Sequence, residues 1–425
     1  MILVSRTYWG GMPFWFRRRP SDASVESLVL RTDDFRQIRG LAWTSTRHPK
    51  PRVVVVLVHP SVDFTHHYAI PRLLEAGLGV LAANTRHAGN PTFGETEEMV
   101  LDLAACVRYA KERLGAEHVV LFGNCGGASL AAYYQAQANL PASERILRSP
   151  GGAPTRFDTA TMTPASGVLY VAAHRGQGKI LLDCIDPSVT DEGDPLSVDP
   201  ALDMYDPDNG FEEPPKPSTY DTRFVERYRA AQVERVRRID AKARALVEAH
   251  EAATRAASAV GFADLPERER RSTLRRRASE TVMVVYRTMA NPMFVDPSLD
   301  PSGRDYGSLL SERPDLMNYA ALGLARTVTP RAWLSTWSGL STNANLVDNA
   351  ARVHQPTLLV HAGNDREVHP SDVAAIAAAI GADDRTVVTI EGARHYFEPE
   401  PGEKEAPHVE RLMDVVVPWI TARFS

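Results

Sequence analysis

Residues 117–127, EHVVLFGNCGG, decide the fold. The run up to Gly123 is short, apolar and partly β-branched, and it reads as a buried strand. Residues 128–137, ASLAAYYQAQ, read as the opening of a helix. Between the two, Gly123, Gly126 and Gly127 surround one reactive side chain, Cys125. A strand-to-helix turn this tight holds its central residue in a strained backbone conformation, so its neighbours must be small. The stretch therefore poses a choice between a reactive thiol and a core cysteine that sits among glycines. A cysteine by itself favours the core reading, and only partner residues elsewhere in the chain can reverse it.

Working outward, strand and helix signals alternate on both sides of this turn. Upstream lie the strand runs VESLVLRT, RQIRGLAWTS and RVVVVLVHP, then a helix near 68–76 and the strand GLGVLAAN. A helix over about 95–114 carries Val100, Leu103, Val107 and Ala110 on one stripe and ends at Gly115. The run VVVVLV is continuous rather than alternating, which suits a parallel strand buried on both faces. Downstream, GVLYVAA (167–173) is a further strand. Near the C-terminus LLVHAGNDREV, PSDVAAIAAAIG, RTVVTIEGARHYF and HVERLMDVVVPWITARF read as strand, helix, strand and helix. This order predicts an α/β fold with a mostly parallel central sheet and helices on both faces.

The alternation breaks between 175 and 350. Residues 183–213 hold eleven Asp or Glu and no Lys or Arg, and 221–260 read as one long amphipathic helix. Residues 266–290 read as another, with six arginines between 268 and 277. The expected organisation is an N-terminal extension (1–23), a sheet domain in two parts (24–174 and 351–425) and a mainly helical cap (175–350) inserted between them.

Composition narrows the function classes. A net charge of −5 over 425 residues gives no basic footprint for nucleic acid, so no nucleic-acid partner is expected. Three cysteines without a CxxC pair make a poor disulfide framework and favour a reducing compartment. The N-terminal segment MILVSRTYWGGMPFWFRRRP lacks a sustained apolar h-region and does not read as a signal peptide. The longest apolar run is far too short for a stable membrane insertion. A cytoplasmic protein is the expectation. The acidic stretch lacks a calcium-loop spacing, and no metal or cofactor is expected. A homo-oligomer stays open.

Two downstream loops supply partners for Cys125. Asp365 follows one predicted strand and His395 follows the next, which gives the order nucleophile, acid, histidine. With the turn at 123–127 this resembles the α/β-hydrolase superfamily over roughly 24–174 and 352–425. Serine is the usual central residue there. The G-x-C-x-G form is similar to the turns of dienelactone hydrolases and polyhydroxyalkanoate synthases, although the chain resembles neither throughout. The resemblance implies a Cys125–His395–Asp365 triad. Glu367 and Asp372 are rivals to Asp365, and His361 and His369 are rivals to His395. Cys106 and Cys184 read as core.

The resemblance also implies an oxyanion hole, with one donor from the backbone of Gly126. The other belongs to the loop after VVVVLV, which here reads HPSVDF. Pro60 has no N–H, so Ser61 is expected ahead of Val62. Trp333 and Trp337, in RAWLSTWSGL, are expected to line the substrate pocket. A thiolate suits activated carbonyls, because it leaves more readily than an alkoxide. The implied activity is hydrolysis of an ester, thioester or lactone through a thioacyl-enzyme on a small-molecule acyl substrate. Acyl transfer, ligand binding without catalysis, and thiol redox sensing are the competing classes.

Overall fold

The computed structural model describes residues 19–399, 403 and 405–424. The aromatic N-terminal segment at 8–18 and most of the expected extension lie outside them. Ten strands are named in chain order among the described residues: β1 (Ala23–Arg31), β2 (Gln37–Ser45), β3 (Val53–His59), β4 (Gly79–Asn84), β5 (His118–Asn124), β6 (Gly167–Val171), β7 (Met283–Val284), β8 (Thr327–Val328), β9 (Thr357–Ala362) and β10 (Arg385–Ile390). Eight of them form one sheet in the order β1-β2-β4-β3-β5-β6-β9-β10. Strand β2 pairs antiparallel with β1 and β4, and the other neighbours pair parallel. This is the α/β-hydrolase arrangement expected from the sequence. Every residue of β3 is buried, because the strand lies centrally with helices on both faces.

The helices are α1 (Ile70–Glu75), α2 (Thr96–Glu112), α3 (Gly126–Ala138), α4 (Gln177–Cys184), α5 (Thr222–Ala257), α6 (Glu267–Ala278), α7 (Pro314–Met317), α8 (Pro330–Ala332), α9 (Leu346–Ala350), α10 (Pro370–Ala379) and α11 (Pro407–Phe424). Leu103 and Val107 of α2 and Leu130 of α3 pack with Val54 and Val56 on one sheet face. Leu73 of α1 and Leu412, Val416 and Ile420 of α11 pack with Val55 and Leu57 on the other.

The segment between β6 and α9 forms the cap. Its long helix α5 runs almost as expected from the apolar stripe. The helix expected over 266–290 ends at Ala278. Beyond it the β-branched run TVMVV turns extended, and Met283–Val284 pair antiparallel with β8. Ala344, Leu346 and Ala350 join the core on the α2–α3 face, so α9 belongs to the sheet domain. Helix α6 buries none of its residues, and its one ion pair among the described residues is internal, Arg271 with Glu267. The acidic stretch 183–213 instead serves cap arginines: Glu192 pairs with Arg235 and Asp186 with Arg287, both at 2.8 Å. Those guanidinium groups are buried, and each buried charge requires a partner.

Candidate active site

Cys125 stands between β5 and α3 with φ 54° and ψ −125°, a conformation rarely adopted outside glycine. Such backbone strain costs ~1–3 kcal/mol and persists where the surroundings over-determine it. They do so here. The Cys125 N–H donates to Val171 O at 3.0 Å. The Asn124 side chain donates to the same carbonyl at 3.0 Å, and its Oδ1 accepts from Tyr68 at 2.9 Å. The glycines are sterically required. A Cβ on Gly123 would lie 2.4 Å from Ala128 Cα, and one on Gly127 would lie 2.6 Å from Val58 O.

Asp365 and His395 reach the same edge of the sheet from the loops after β9 and β10. His395 Nδ1 lies 2.7 Å from Asp365 Oδ2, and both residues are buried. Asp365 Oδ1 accepts the backbone N–H groups of Glu367 at 2.8 Å and Val368 at 3.1 Å, which fixes the carboxylate. His395 Nε2 has no oxygen or nitrogen partner among the described residues, and the ring interacts with the Cys125 sulfur. Burial works against charge on both groups. For Cys125 the imidazoles of His395 and His174 outweigh burial and hold the thiol well below 9.0. For His395, Asp365 and the sulfur outweigh it and hold the ring well above 6.5. The arrangement favours a thiolate–imidazolium pair, and the α3 N-terminus adds to it. Burial, reinforced by nearby carboxylates, pushes the Cys106 and Cys184 thiols up.

The expected rivals lie elsewhere in the local structure. Asp372 pairs with Arg175 at 2.6 Å and accepts the N–H of His369, so both belong to the start of α10. His361 sits within β9. Glu367 is different. It lines the cavity above Cys125, one carboxyl oxygen is buried without a partner among the described residues, and burial pushes its pKa up to about 8.

Two histidines that the sequence reading missed complete the surroundings of the sulfur. His174, just past β6, accepts the Gly176 N–H on Nδ1 at 3.0 Å, and its ring interacts with the Cys125 sulfur. His59 ends β3. Its Nδ1 accepts the N–H groups of Ser61 at 3.1 Å and Val62 at 2.9 Å. This corrects the expectation for Ser61, because its N–H is turned onto the imidazole and is not free for the cavity. His59 is the last residue of β3 and His174 follows the end of β6, both at the carboxyl edge of a parallel sheet, where ligands bind in such folds, and that position was the available signal.

Above Cys125 lies a cavity of about 40 Å³. Its floor is His59, Cys125, His174 and Glu367, and its roof is Gln177, Ile180, Leu309, Leu324 and Trp337 from the cap. Trp337 therefore faces the same cavity as Cys125. Trp333 does not line this cavity. It is fully buried in the cap core and donates to Asp240 at 2.7 Å. No helix among the described residues is long and apolar enough to cross a membrane.

A family model described as serine aminopeptidase, S33, matches residues 281–402, a span that holds Asp365 and His395 but not Cys125. A sequence comparison with curated proteins gives no match. Among solved structures, DcsB in complex with its substrate analogue is similar at 11% identity and a TM-score of 0.48, over 94% of this chain and 100% of that one. Est1E from Butyrivibrio proteoclasticus is similar at 10% identity and a TM-score of 0.46, over 93% and 98%. An esterase of Pyrococcus furiosus is similar at 12% identity and a TM-score of 0.44, over 96% of each chain. The strand order, the tight turn after β5 and the loops after β9 and β10 give this chain the α/β-hydrolase fold.

Proposed function

We propose that the chain is an esterase-like hydrolase that cleaves an ester, thioester or lactone through a thioacyl-enzyme on Cys125. The observation that carries this reading is the His395–Asp365 hydrogen bond, which turns the free Nε2 of a charged imidazole toward a thiol held at a strained strand-to-helix turn. The thiolate attacks the carbonyl carbon, and the carbonyl electron pair moves onto oxygen. The backbone N–H of Gly126, at the start of α3, stabilises that oxygen. The tetrahedral intermediate collapses as imidazolium gives its proton to the leaving group. Water, deprotonated by His395, then attacks the thioester and frees the acid. Asp365 holds the ring and its charge throughout. The small cavity beneath the cap favours a short acyl group on the sulfur.

The test is turnover of p-nitrophenyl acetate by single variants. His395→Ala is expected to lose about three orders of magnitude or more in kcat/KM. Asp365→Asn is expected to lose less, because a thiolate already stabilised by His174 needs less help from the acid. A His395→Ala variant with near-normal kcat/KM would remove the triad.

A further inference from the structure

We propose that the His59 side chain is the second oxyanion donor, acting through Nε2–H beside the backbone N–H of Gly126. The assignment rests on the thioacyl reading above and extends it to a residue outside the triad. The HPSVDF loop cannot supply a backbone donor from its first three positions after His59. Pro60 has no N–H, and the Ser61 and Val62 N–H groups both point at His59 Nδ1. Those two bonds fix the tautomer. A nitrogen that accepts two N–H groups carries no proton, so in the neutral ring the hydrogen sits on Nε2.

That Nε2 is buried and has no oxygen or nitrogen partner among the described residues. It lines the cavity with Cys125 and would lie 3.1 Å from a Cβ placed on Gly126. The donor therefore sits next to the residue whose backbone N–H begins α3. The same closeness gives a reason for the glycine at 126, since a side chain there would press on the imidazole. His59 also interacts with the Cys125 sulfur. In the step itself the S–C bond forms, the carbonyl π pair moves onto oxygen, and no proton leaves His59. Its Nε2–H, close to the sulfur that loses charge, donates to the oxygen that gains it.

Neutrality separates this ring from His395. Burial holds the His59 pKa below its ordinary 6.5, and protonating Nδ1 would set a third N–H against the two it accepts. It can donate without competing as the base.

The discriminating variant is His59→Asn. Its Oδ1 can take the place of Nδ1 and accept the Ser61 and Val62 N–H groups, while the Nε2–H is lost. His59→Gln does the reverse, placing an amide N–H near Nε2 and leaving the loop without its acceptor. Three readouts apply: Cys125 acetylation by p-nitrophenyl acetate, acetaldehyde affinity as the thiohemiacetal, and alkylation by iodoacetamide at a pH where the thiol is fully ionised. Alkylation creates no oxyanion and reports the thiolate alone. The oxyanion role predicts that His59→Asn acetylates about 10²–10³-fold more slowly and binds acetaldehyde at least about tenfold more weakly. Its alkylation should stay within about twofold, and His59→Gln should recover part of the loss. If His59→Asn acetylates within about threefold of the wild type while His59→Gln is impaired, the ring only anchors the loop and the proposal is overturned. A wild-type protein that takes up no acetyl group overturns the thioacyl reading, and this assignment with it.

Discussion

Three imidazoles face one sulfur, and their hydrogen bonds divide the work among them. His395 is tied to a carboxylate and takes a charge, while His59 and His174 each accept a backbone N–H on Nδ1 and present Nε2. The consequence is measurable on the thiol. With the Cys125 pKa depressed, its thiolate persists as pH falls below 9.0 and is lost only as pH passes through the lowered value. Cys106 and Cys184 are pushed the other way and stay protonated throughout that range. Iodoacetamide at pH 7 should therefore label Cys125 at least about a hundredfold faster than the other two, with a rate profile whose midpoint lies below 9.0. His174→Asn should move that midpoint upward, because one donor to the thiolate is gone. Similar labelling of all three cysteines in the folded protein contradicts this account. Cys125, Asp365 and His395 could be singled out in the sequence because each follows a recognisable strand, and the structure brings Asp365 and His395 into hydrogen-bond contact. His59 and His174 were not singled out, since which ring nitrogen faces the cavity depends on backbone bonds that no motif encodes.

The turn between β5 and α3 places the sulfur, and its tolerance is set by backbone. A methyl group on Gly127 would meet Val58 O, which belongs to the central strand β3 and cannot swing aside as a flexible side chain could. Gly127→Ala is expected to cost about 1–3 kcal/mol, the usual range for overpacking, and to slow Cys125 labelling at the same time. Urea unfolding followed by iodoacetamide kinetics on the folded variant checks both. Unchanged stability and labelling would mean that the turn has slack. Elements with a strong pattern were read correctly from sequence, such as α5 with its apolar stripe and β3 with its unbroken apolar run over 53–58. The helix expected over 266–290 failed past Ala278 because its arginines mark a helix that buries none of its residues, while the β-branched residues beyond them find a strand partner in β8. That pairing is long-range and left no local trace.

The whole molecule encloses its thiol by folding the cap over the carboxyl edge of the sheet. Five of the nine residues around the cavity come from the segment that runs from α4 to α9. The two tryptophans looked equivalent in sequence, and tertiary structure separates them. Trp337 roofs the cavity, whereas Trp333 fills the cap core with its indole bound to Asp240. Trp337→Ala should raise the relative kcat/KM for p-nitrophenyl hexanoate over acetate by about tenfold, since the lost ring opens space above the sulfur. Trp333→Ala should instead destabilise the protein by about 3–5 kcal/mol and leave that preference within about twofold. A selectivity change confined to Trp333→Ala would reverse the assignment. The central claim is that Cys125 carries the acyl group and His395 puts it there. Intact-protein mass spectrometry after brief exposure to p-nitrophenyl acetate, followed by peptide mapping, tests it most directly. The account predicts one acetyl group per chain on the peptide that holds Cys125, absent from His395→Ala over the same interval. Acetylation that misses Cys125, or that forms equally fast without His395, would contradict it.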